Sequence, residues 1–341
     1  MRQIAVIGAG VIGVTSALEV QTKLGKSVTV TIFSDRFSPN TTGDVSAGLW
    51  TPYILQDTPM DNIIKWSKET YDYALKLWQD GEAEKAGISL QVMTELLDKP
   101  EEQIPEWVSL TLGHCILDAN QIAAINRKYR ANYCKGVTFT AFILEPQRLL
   151  PFLMEQFKKA GGKIIQRKIN SFDELSSYDV IVNCTGLEAK QLTDDKLLQP
   201  VRGQIMRVEA PGQFHCIMEP ETYIIPNMDC VILGGTHQEN SWDLNVSKSD
   251  ADGIAQRCRQ FSPSLESSKL IKHMVGLRPG RSSVILRTEI RTLRDGKRIP
   301  IVHNYGHGGS GVTLSIGCAT SARKLVEDAL IGNFQNKISK L

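Results

Sequence analysis

The sequence predicts an α/β fold interleaved with an α+β region, and three observations carry that reading. A strand, glycine turn, helix and strand open the chain. The same α/β pattern returns in the middle and again near the end, with strand-rich segments between. No Pro/Gly/Ser-rich linker divides the 341 residues, so the two regions are interwoven rather than strung in series. One region is expected from 1–55, 145–195 and 275–341, the other from 56–144 and 196–274.

The elements follow in order. Ile4–Ile7 is a short apolar strand, and "GAGVIG" turns the chain into the helix pattern "VTSALEVQTKLG", which stops at Gly25. "SVTVTIF" is β-rich and ends at "SDR". "FSPNTTGDVSAGLWTPY" lacks periodicity and reads as loop. Asp61 to Ala86 is helical, with Ile63, Trp66, Tyr71, Ala74, Leu75 and Trp78 near one face. Short strands with a helix near Asp118–Tyr129 lead to a helix from about Gln147 to Ala160. "KIIQRKI" and "YDVIVNCTG" are strands. "RGQIMRVEA", "TYIIP" and "CVILGGT" are strands again, broken by a helix near Ser249–Phe261. "MVGLRPGR" and "RIPIVHNYGHGGSGVTLSIG" precede a closing helix from about Ala319 to Ile331.

Composition excludes several classes. Lys plus Arg number 39 against 37 Asp plus Glu, a net charge of +2 that offers no polybasic surface for nucleic acid or membrane. No apolar run is long enough to span a bilayer, and no leader precedes the first strand. The seven cysteines are odd in number and irregular in spacing, with no Cys-x-x-Cys, so neither a disulfide framework nor a metal site is expected. A reduced compartment fits that usage.

"GAGVIG" carries the clearest chemistry. Gly8, Gly10 and Gly13 let the backbone turn tightly against a pyrophosphate, which then meets the free N–H groups of a helix N-terminus. Flanking strands support dinucleotide binding over a merely structural turn, and Asp35 is a candidate acceptor for the ribose hydroxyls. The motif does not separate FAD from NAD, but one such unit at the start, completed at the far end of the chain, suits an extended flavin. "HNYGHGGSG" is a second glycine-rich turn into a helix, able to pass close to a flat ring. In "VGLRPGR", Arg278 is able to clamp a carboxylate with two parallel hydrogen bonds, although a surface arginine is the commoner fate. Tyr223 in "ETYIIP" and His237 in "GGTHQENSW" are weaker candidates by themselves. No Ser-His-Asp order or paired-carboxylate pattern stands out.

In combination, "GAGVIG", "DRFSPNTTGDVSAGLWTPY", "DVIVNCTG", "RGQIMRVEAP", "YIIP", "LGGT", "VGLRP" and "HNYGHGGSGVT" make the chain resemble, nearly end to end, the D-amino-acid oxidase and D-aspartate oxidase family. The resemblance implies non-covalent FAD in a Rossmann-type domain, covered by a second domain built on a bent antiparallel sheet. It implies cofactor contacts at Gly8, Ala9, Gly10, Val11, Ile12 and Gly13, at Asp35, Arg36, Thr41 and Thr42, and at Ala47, Gly48 and Leu49. Ile169, Thr185 and Gly308, Gly309, Ser310, Gly311, Val312 and Thr313 complete that set. It makes Arg278 the clamp on the substrate α-carboxylate and Tyr223 its helper, with Thr51, His237 and Gly309 as further substrate contacts. The implied reaction turns a D-amino acid and oxygen into an imino acid, hydrolysed to a 2-oxo acid and ammonium, and hydrogen peroxide.

Substrate choice is where the sequence departs from both branches of the family. The vertebrate-type D-amino-acid oxidases carry a lid tyrosine where Glu219 stands here. The D-aspartate oxidases place an arginine where His237 stands and a second one on the lid, without counterpart here. The missing arginines favour neutral D-amino acids, and Glu219, if it faces the pocket, favours neutral or basic ones. Oxidation of D-aspartate or D-glutamate is the alternative. A flavin-binding protein without turnover, and a colourless NAD-dependent dehydrogenase, are the readings of other classes. Ser339, Lys340 and Leu341 read as an address for the peroxisome matrix, delivered by its import receptor. A peroxide-forming enzyme belongs there. A homodimer is allowed.

Overall fold

A computed structural model describes residues 1–333, so the expected targeting residues Ser339, Lys340 and Leu341 lie outside the described residues. The chain runs β1 (Arg2–Ile7), α1 (Val11–Leu24), β2 (Val28–Ser34), α2 (Met60–Gln79), α3 (Ala83–Ala86), β3 (Ile88–Leu97), β4 (Leu112–Ile116) and α4 (Ala119–Tyr129). It continues through β5 (Lys135–Leu144), α5 (Pro146–Lys159), β6 (Lys163–Gln166), β7 (Val180–Asn183), α6 (Ala189–Thr193), β8 (Gln199–Glu209), β9 (Cys216–Glu219) and β10 (Thr222–Pro226). It closes with β11 (Val231–Gly234), β12 (Gln238–Glu239), α7 (Lys248–Phe261), β13 (Lys269–Gly280), β14 (Ile285–Thr292), β15 (Arg298–Tyr305) and α8 (Gly311–Leu330).

Two sheets organise these elements. The first has the order β14-β15-β7-β1-β2-β6 and is parallel except at β14–β15. Its inner strands β1, β2, β7 and β15 are largely buried on both faces, as parallel strands flanked by helices must be. Ile4 and Val6 face the core under α1 and α8, and Ala5 and Ile7 face a second apolar cluster with Phe33, Ile181 and Ile301. From β1 the chain crosses to β2 on one side, while β7 pairs on the other. The crevice at the carboxyl ends of β1 and β7 is therefore a topological switch point, where open α/β sheets bind ligands.

The second sheet has nine strands in the order β12-β8-β11-β10-β9-β3-β5-β4, with β13 along the other side of β8. It is antiparallel except where β3 runs parallel to β9, which qualifies the expected all-antiparallel sheet. One face packs on α7 through Ile254, Cys258 and Phe261, and the other carries Ile205, Ile225 and Ile232 into the main core.

Several expectations shift. The closing helix starts at Gly311, not near Ala319. Val312, Thr313 and Ile316 weaken its local helix signal, but its small residues let it pack closely against α1 and α2. A Cβ on Gly317 would lie 2.3 Å from the Trp66 backbone. Thr70 on α2 also accepts the Ile316 N–H, so α2 sits with the first sheet's helices rather than in the second region. The expected boundary at 275 falls inside β13, all of whose paired residues from Lys269 to Gly280 join β8. The helix expected over 61–86 breaks at Gly81, where φ is +78°. Strands β9 and β14 were not anticipated.

Glu95 on β3 leaves Oε2 buried without a hydrogen-bond partner, and burial pushes its carboxyl up to about 7. The folded state then holds a proton that the unfolded chain releases near pH 4.5. Stability attributable to this group is unchanged below that pH, falls as pH rises towards 7, and stays reduced above it. Glu95→Gln is expected to remove the loss, raising stability at pH 8 by up to about 3 kcal/mol while changing it little at pH 5. Urea unfolding at the two pH values checks this.

Candidate active site

Two helix N-termini meet at the carboxyl edge of the first sheet. α1 follows the Gly8–Gly10 turn and α8 follows the Gly306–Ser310 turn. A Cβ on Gly311 would lie 3.8 Å from Val11 Cγ1, so the two starts lie side by side. Neither helix has a side-chain cap or an acidic residue in its first turn. Their first N–H groups thus keep their hydrogen-bonding capacity for an anion, assisted by two helix dipoles.

The glycine turn is shaped by contact. A Cβ on Gly13 would lie 2.0 Å from the Gly8 carbonyl oxygen, and one on Gly8 would lie 2.4 Å from the Cys184 carbonyl oxygen. A Cβ on Gly10 would meet nothing within 4 Å, so that position opens into space. The residues therefore fit a dinucleotide diphosphate: tight packing behind the turn, room in front of it, and N–H groups aimed into that room. His307 Nε2 and Asn304 Oδ1 are buried without partners close by in the chain. Burial pushes the His307 imidazole down to about 3, so it is neutral.

The remaining expected cofactor residues divide by what they already do. Ala9, Val11 and Ile12 belong to the turn and the first turn of α1. Asp35 and Arg36 follow β2, with the Asp35 carboxylate 3.5 Å from Arg36 Nε. Thr41 donates its N–H and Oγ1–H to buried Asp44, capping the short helical turn Thr42–Val45. Ala47 and Gly48 accept hydrogen bonds from Asn227 and Leu144, and Leu49 bridges to Ile143. The Ile169 side chain lies in the apolar cluster with Ile7 and Phe33, at the carboxyl ends of β1 and β2. Thr185 follows β7 beside Gly8. Gly308 donates its N–H to the Pro279 carbonyl at 2.9 Å, and the Ser310 hydroxyl bonds the Tyr53 backbone at both N–H and C=O. Val312 and Thr313 start α8, and Thr313 Oγ1 donates to the Thr51 carbonyl at 3.0 Å. Thr51 thus contributes backbone to the frame.

Beyond this crevice, β13 presents Arg278 against the second sheet. Its guanidinium lies across Gly203, where a Cβ would come within 2.5 Å of Nη1. Nη1 donates to the Thr236 carbonyl at 3.1 Å. Among the described residues no carboxylate lies within ion-pair distance of it. Tyr223 on β10 packs its ring over Gly234 and Gly235, where a Cβ would lie 2.1 Å and 2.7 Å from its nearest atoms. Burial raises the Tyr223 hydroxyl pKa and nearby Arg278 opposes the rise, so the phenol stays protonated as a donor. A half-buried guanidinium with no carboxylate beside it among the described residues, next to a neutral phenol, offers the donors that an external carboxylate needs.

Tyr53, not singled out in the sequence, completes this cluster. Its ring centroid is 6.0 Å from the Arg278 guanidinium carbon, and its hydroxyl lies 2.8 Å from His237 Nδ1. Gly309 packs beneath it, where a Cβ would meet Tyr53 Cδ1 at 2.4 Å. Its tyrosine in "WTPY" was the available signal, but the loop has no period to aim it. His237 also lies 3.5 Å from the Glu239 carboxylate. Tyr53→Phe keeps the ring over Arg278 and frees His237. It is expected to raise KM about three- to tenfold with kcat little changed, a loss typical of one hydrogen bond. Steady-state kinetics checks this.

One expectation about the pocket is corrected. Glu219 does not face it. In the β9–β10 hairpin Glu219 lies opposite Thr222, on the face away from Tyr223, and accepts the Tyr133 hydroxyl at 3.1 Å. Strand parity puts it under α7. The segment from Cys216 to Thr222 forms a hairpin, with Cys216–Glu219 paired to β3 and β10 and only Pro220 and Glu221 as its turn.

Residues 3–325 match the family model described as FAD dependent oxidoreductase. The chain is 37% identical over 332 residues to D-aspartate oxidase of Homo sapiens, covering 96% of this chain and 95% of that one. It is 38% identical over 337 residues to D-amino acid oxidase of Dugesia ryukyuensis, covering 96% and 98%. Glycine oxidase from Bacillus cereus ATCC 14579 superposes with a TM-score of 0.74 at 17% identity, covering 98% and 96%, a likeness of fold.

Proposed function

Because this chain belongs to the family of FAD dependent oxidoreductases, we propose that it oxidises D-amino acids, neutral ones by preference, to 2-oxo acids. One observation carries the proposal: Arg278, without a carboxylate partner among the described residues, stands beside Tyr223 and Tyr53, next to the Gly308–Gly309 turn that leads into α8. The Gly8–Gly13 turn and the two helix starts would hold FAD, which when bound supplies a two-electron acceptor. Arg278 binds the substrate carboxylate with parallel hydrogen bonds, and the Tyr223 hydroxyl donates to the same group. Fixing the carboxylate orients the Cα–H bond, which is the larger part of what the protein contributes. No side-chain base is required at Cα when hydrogen leaves with its electron pair. Oxygen and water then balance the reaction, giving a 2-oxo acid, ammonia and hydrogen peroxide.

The side-chain end of the pocket supports neutral substrates. His237 is engaged by Tyr53 and has Glu239 beside it, so a substrate carboxylate there meets a carboxylate of the protein. The test is anaerobic titration of the FAD-loaded protein with D-alanine and with D-aspartate. Bleaching of the flavin by D-alanine at lower concentration supports the proposal. Preference for D-aspartate would mean that His237 completes an acidic pocket. Reduction by neither would leave a flavin-binding protein without turnover.

Release of peroxide and the sequence Ser339–Lys340–Leu341 support delivery to the peroxisome matrix by its import receptor. A fluorescent fusion that keeps the tripeptide, against one lacking it, tests this. Exposed Trp242, Leu244, Leu270 and Ile271 support a homodimer, which sedimentation tests.

A further inference from the structure

A polar chain crosses the edge of the first sheet where apolar side chains otherwise pack. Arg291 Nε donates to Glu289 Oε1 at 2.8 Å, and Glu289 Oε2 lies 3.0 Å from His303 Nε2. His303 Nδ1 lies 3.1 Å from Asn183 Nδ2, its register partner on the neighbouring strand. Asn183 Oδ1 accepts both the backbone N–H of Thr185, at 3.3 Å, and its Oγ1–H, at 2.7 Å. Asn183 is fully buried and His303 is 2% exposed. The chain ends at the turn that abuts Gly8: a Cβ there would lie 3.6 Å from Thr185 Cα.

The proton positions along this chain follow from one fixed donor. A backbone N–H only donates, so the Asn183 atom facing Thr185 is its oxygen and the atom facing His303 is its NH2. His303 Nδ1 must then accept, and the imidazole is the neutral tautomer with its proton on Nε2, donated to Glu289. Hydrogen bonds from His303 and Arg291 hold the Glu289 carboxyl down at about 2, so it remains an acceptor throughout the working range. None of these groups reaches Arg278, Tyr223 or Tyr53 by a hydrogen bond among the described residues.

We propose that His303 is a positioning residue for cofactor binding: with Glu289 behind it, it fixes the Asn183 amide so that Asn183 Oδ1 holds the Thr185 turn in place against the Gly8 turn. This rests on the FAD-binding reading above. Were the amide to rotate, Asn183 would turn its NH2 towards the Thr185 N–H; the hydroxyl could reverse and accept, but the backbone N–H would lose its acceptor and the turn the bond that fixes its backbone.

The experiment separates the two nitrogens. In His303→Asn the side-chain oxygen stands near Nδ1 and still accepts from Asn183. In His303→Gln the amide reaches Glu289 but leaves Asn183 without its acceptor. Each variant and the wild type are stripped of flavin and titrated with FAD, following flavin fluorescence. His303→Asn is expected to bind within about threefold of wild type, and His303→Gln about tenfold more weakly, the effect of one buried hydrogen bond. Glu289→Ala, which frees the tautomer without touching Asn183, is expected to weaken binding about threefold. Equal weakening by Asn and Gln would show that only ring volume matters and would overturn the proposal. So would wild-type affinity in His303→Gln or Glu289→Ala. A wild-type chain that takes up no FAD would overturn the cofactor reading, and this proposal with it.

Discussion

Arg278→Met is expected to lower kcat/KM for a D-amino acid by between roughly two hundred- and five thousandfold, the equivalent of about 3–5 kcal/mol. That is the cost of leaving a desolvated carboxylate without its counter-charge. The guanidinium's own place is defined by backbone, since it lies flat on Gly203 and donates to Thr236. Arg278→Lys keeps the charge but loses the fork of parallel donors, so it should recover only part of the loss. Tyr223→Phe, which removes one donor, should cost roughly tenfold. FAD content and visible spectrum should stay as in wild type in all three, because none of these side chains lies in the glycine turn. The measurement is stopped-flow reduction of the flavin. A fall of less than about tenfold in Arg278→Met would mean that the carboxylate binds elsewhere.

The second large effect separates folding from cofactor binding at two glycines three residues apart. Gly10→Ala places its methyl in open space, so the apoprotein should melt within a few degrees of wild type. The methyl would stand where a diphosphate approaches, and FAD affinity should fall by about a hundredfold or more. Gly13→Ala drives its methyl to 2.0 Å from the Gly8 carbonyl oxygen and must shift the start of α1. It should lose FAD and also destabilise the apoprotein by about 1–3 kcal/mol. Calorimetry of both apoproteins, with flavin titration, reads the two effects separately. Equal melting losses in the two variants would mean that Gly10 is only a structural position.

The opening βαβ unit was legible because three signals agree within thirty residues: an apolar strand, glycines at fixed offsets and a helix ending at Gly25. The start of α8 was not. Gly308, Gly309 and Gly311 read as a turn, and the following β-branched residues hide a helix held by packing against Trp66. Glu219 shows a different obstacle. Its distance from Tyr223 in sequence is short, but a hairpin with a two-residue turn puts the two on opposite faces, and register is a tertiary property. Tyr53 lies in an aperiodic loop, aimed only by Ser310 and Gly309 from the far end of the chain. Arg278 read locally as an ordinary arginine. Its strand, pairing with β8 from Lys269 to Gly280, is what lays it on Gly203.

β13 carries Arg278 and, one residue on, the Pro279 carbonyl that holds the N–H of Gly308. A carboxylate that draws Arg278 towards itself therefore pulls on the same short strand end that seats the glycine loop before α8. Two ligands that share one seat are thermodynamically linked, and the linkage is reciprocal. A carboxylate that cannot be oxidised should thus tighten the binding of FAD, and a chain without FAD should hold that carboxylate more loosely by the same factor.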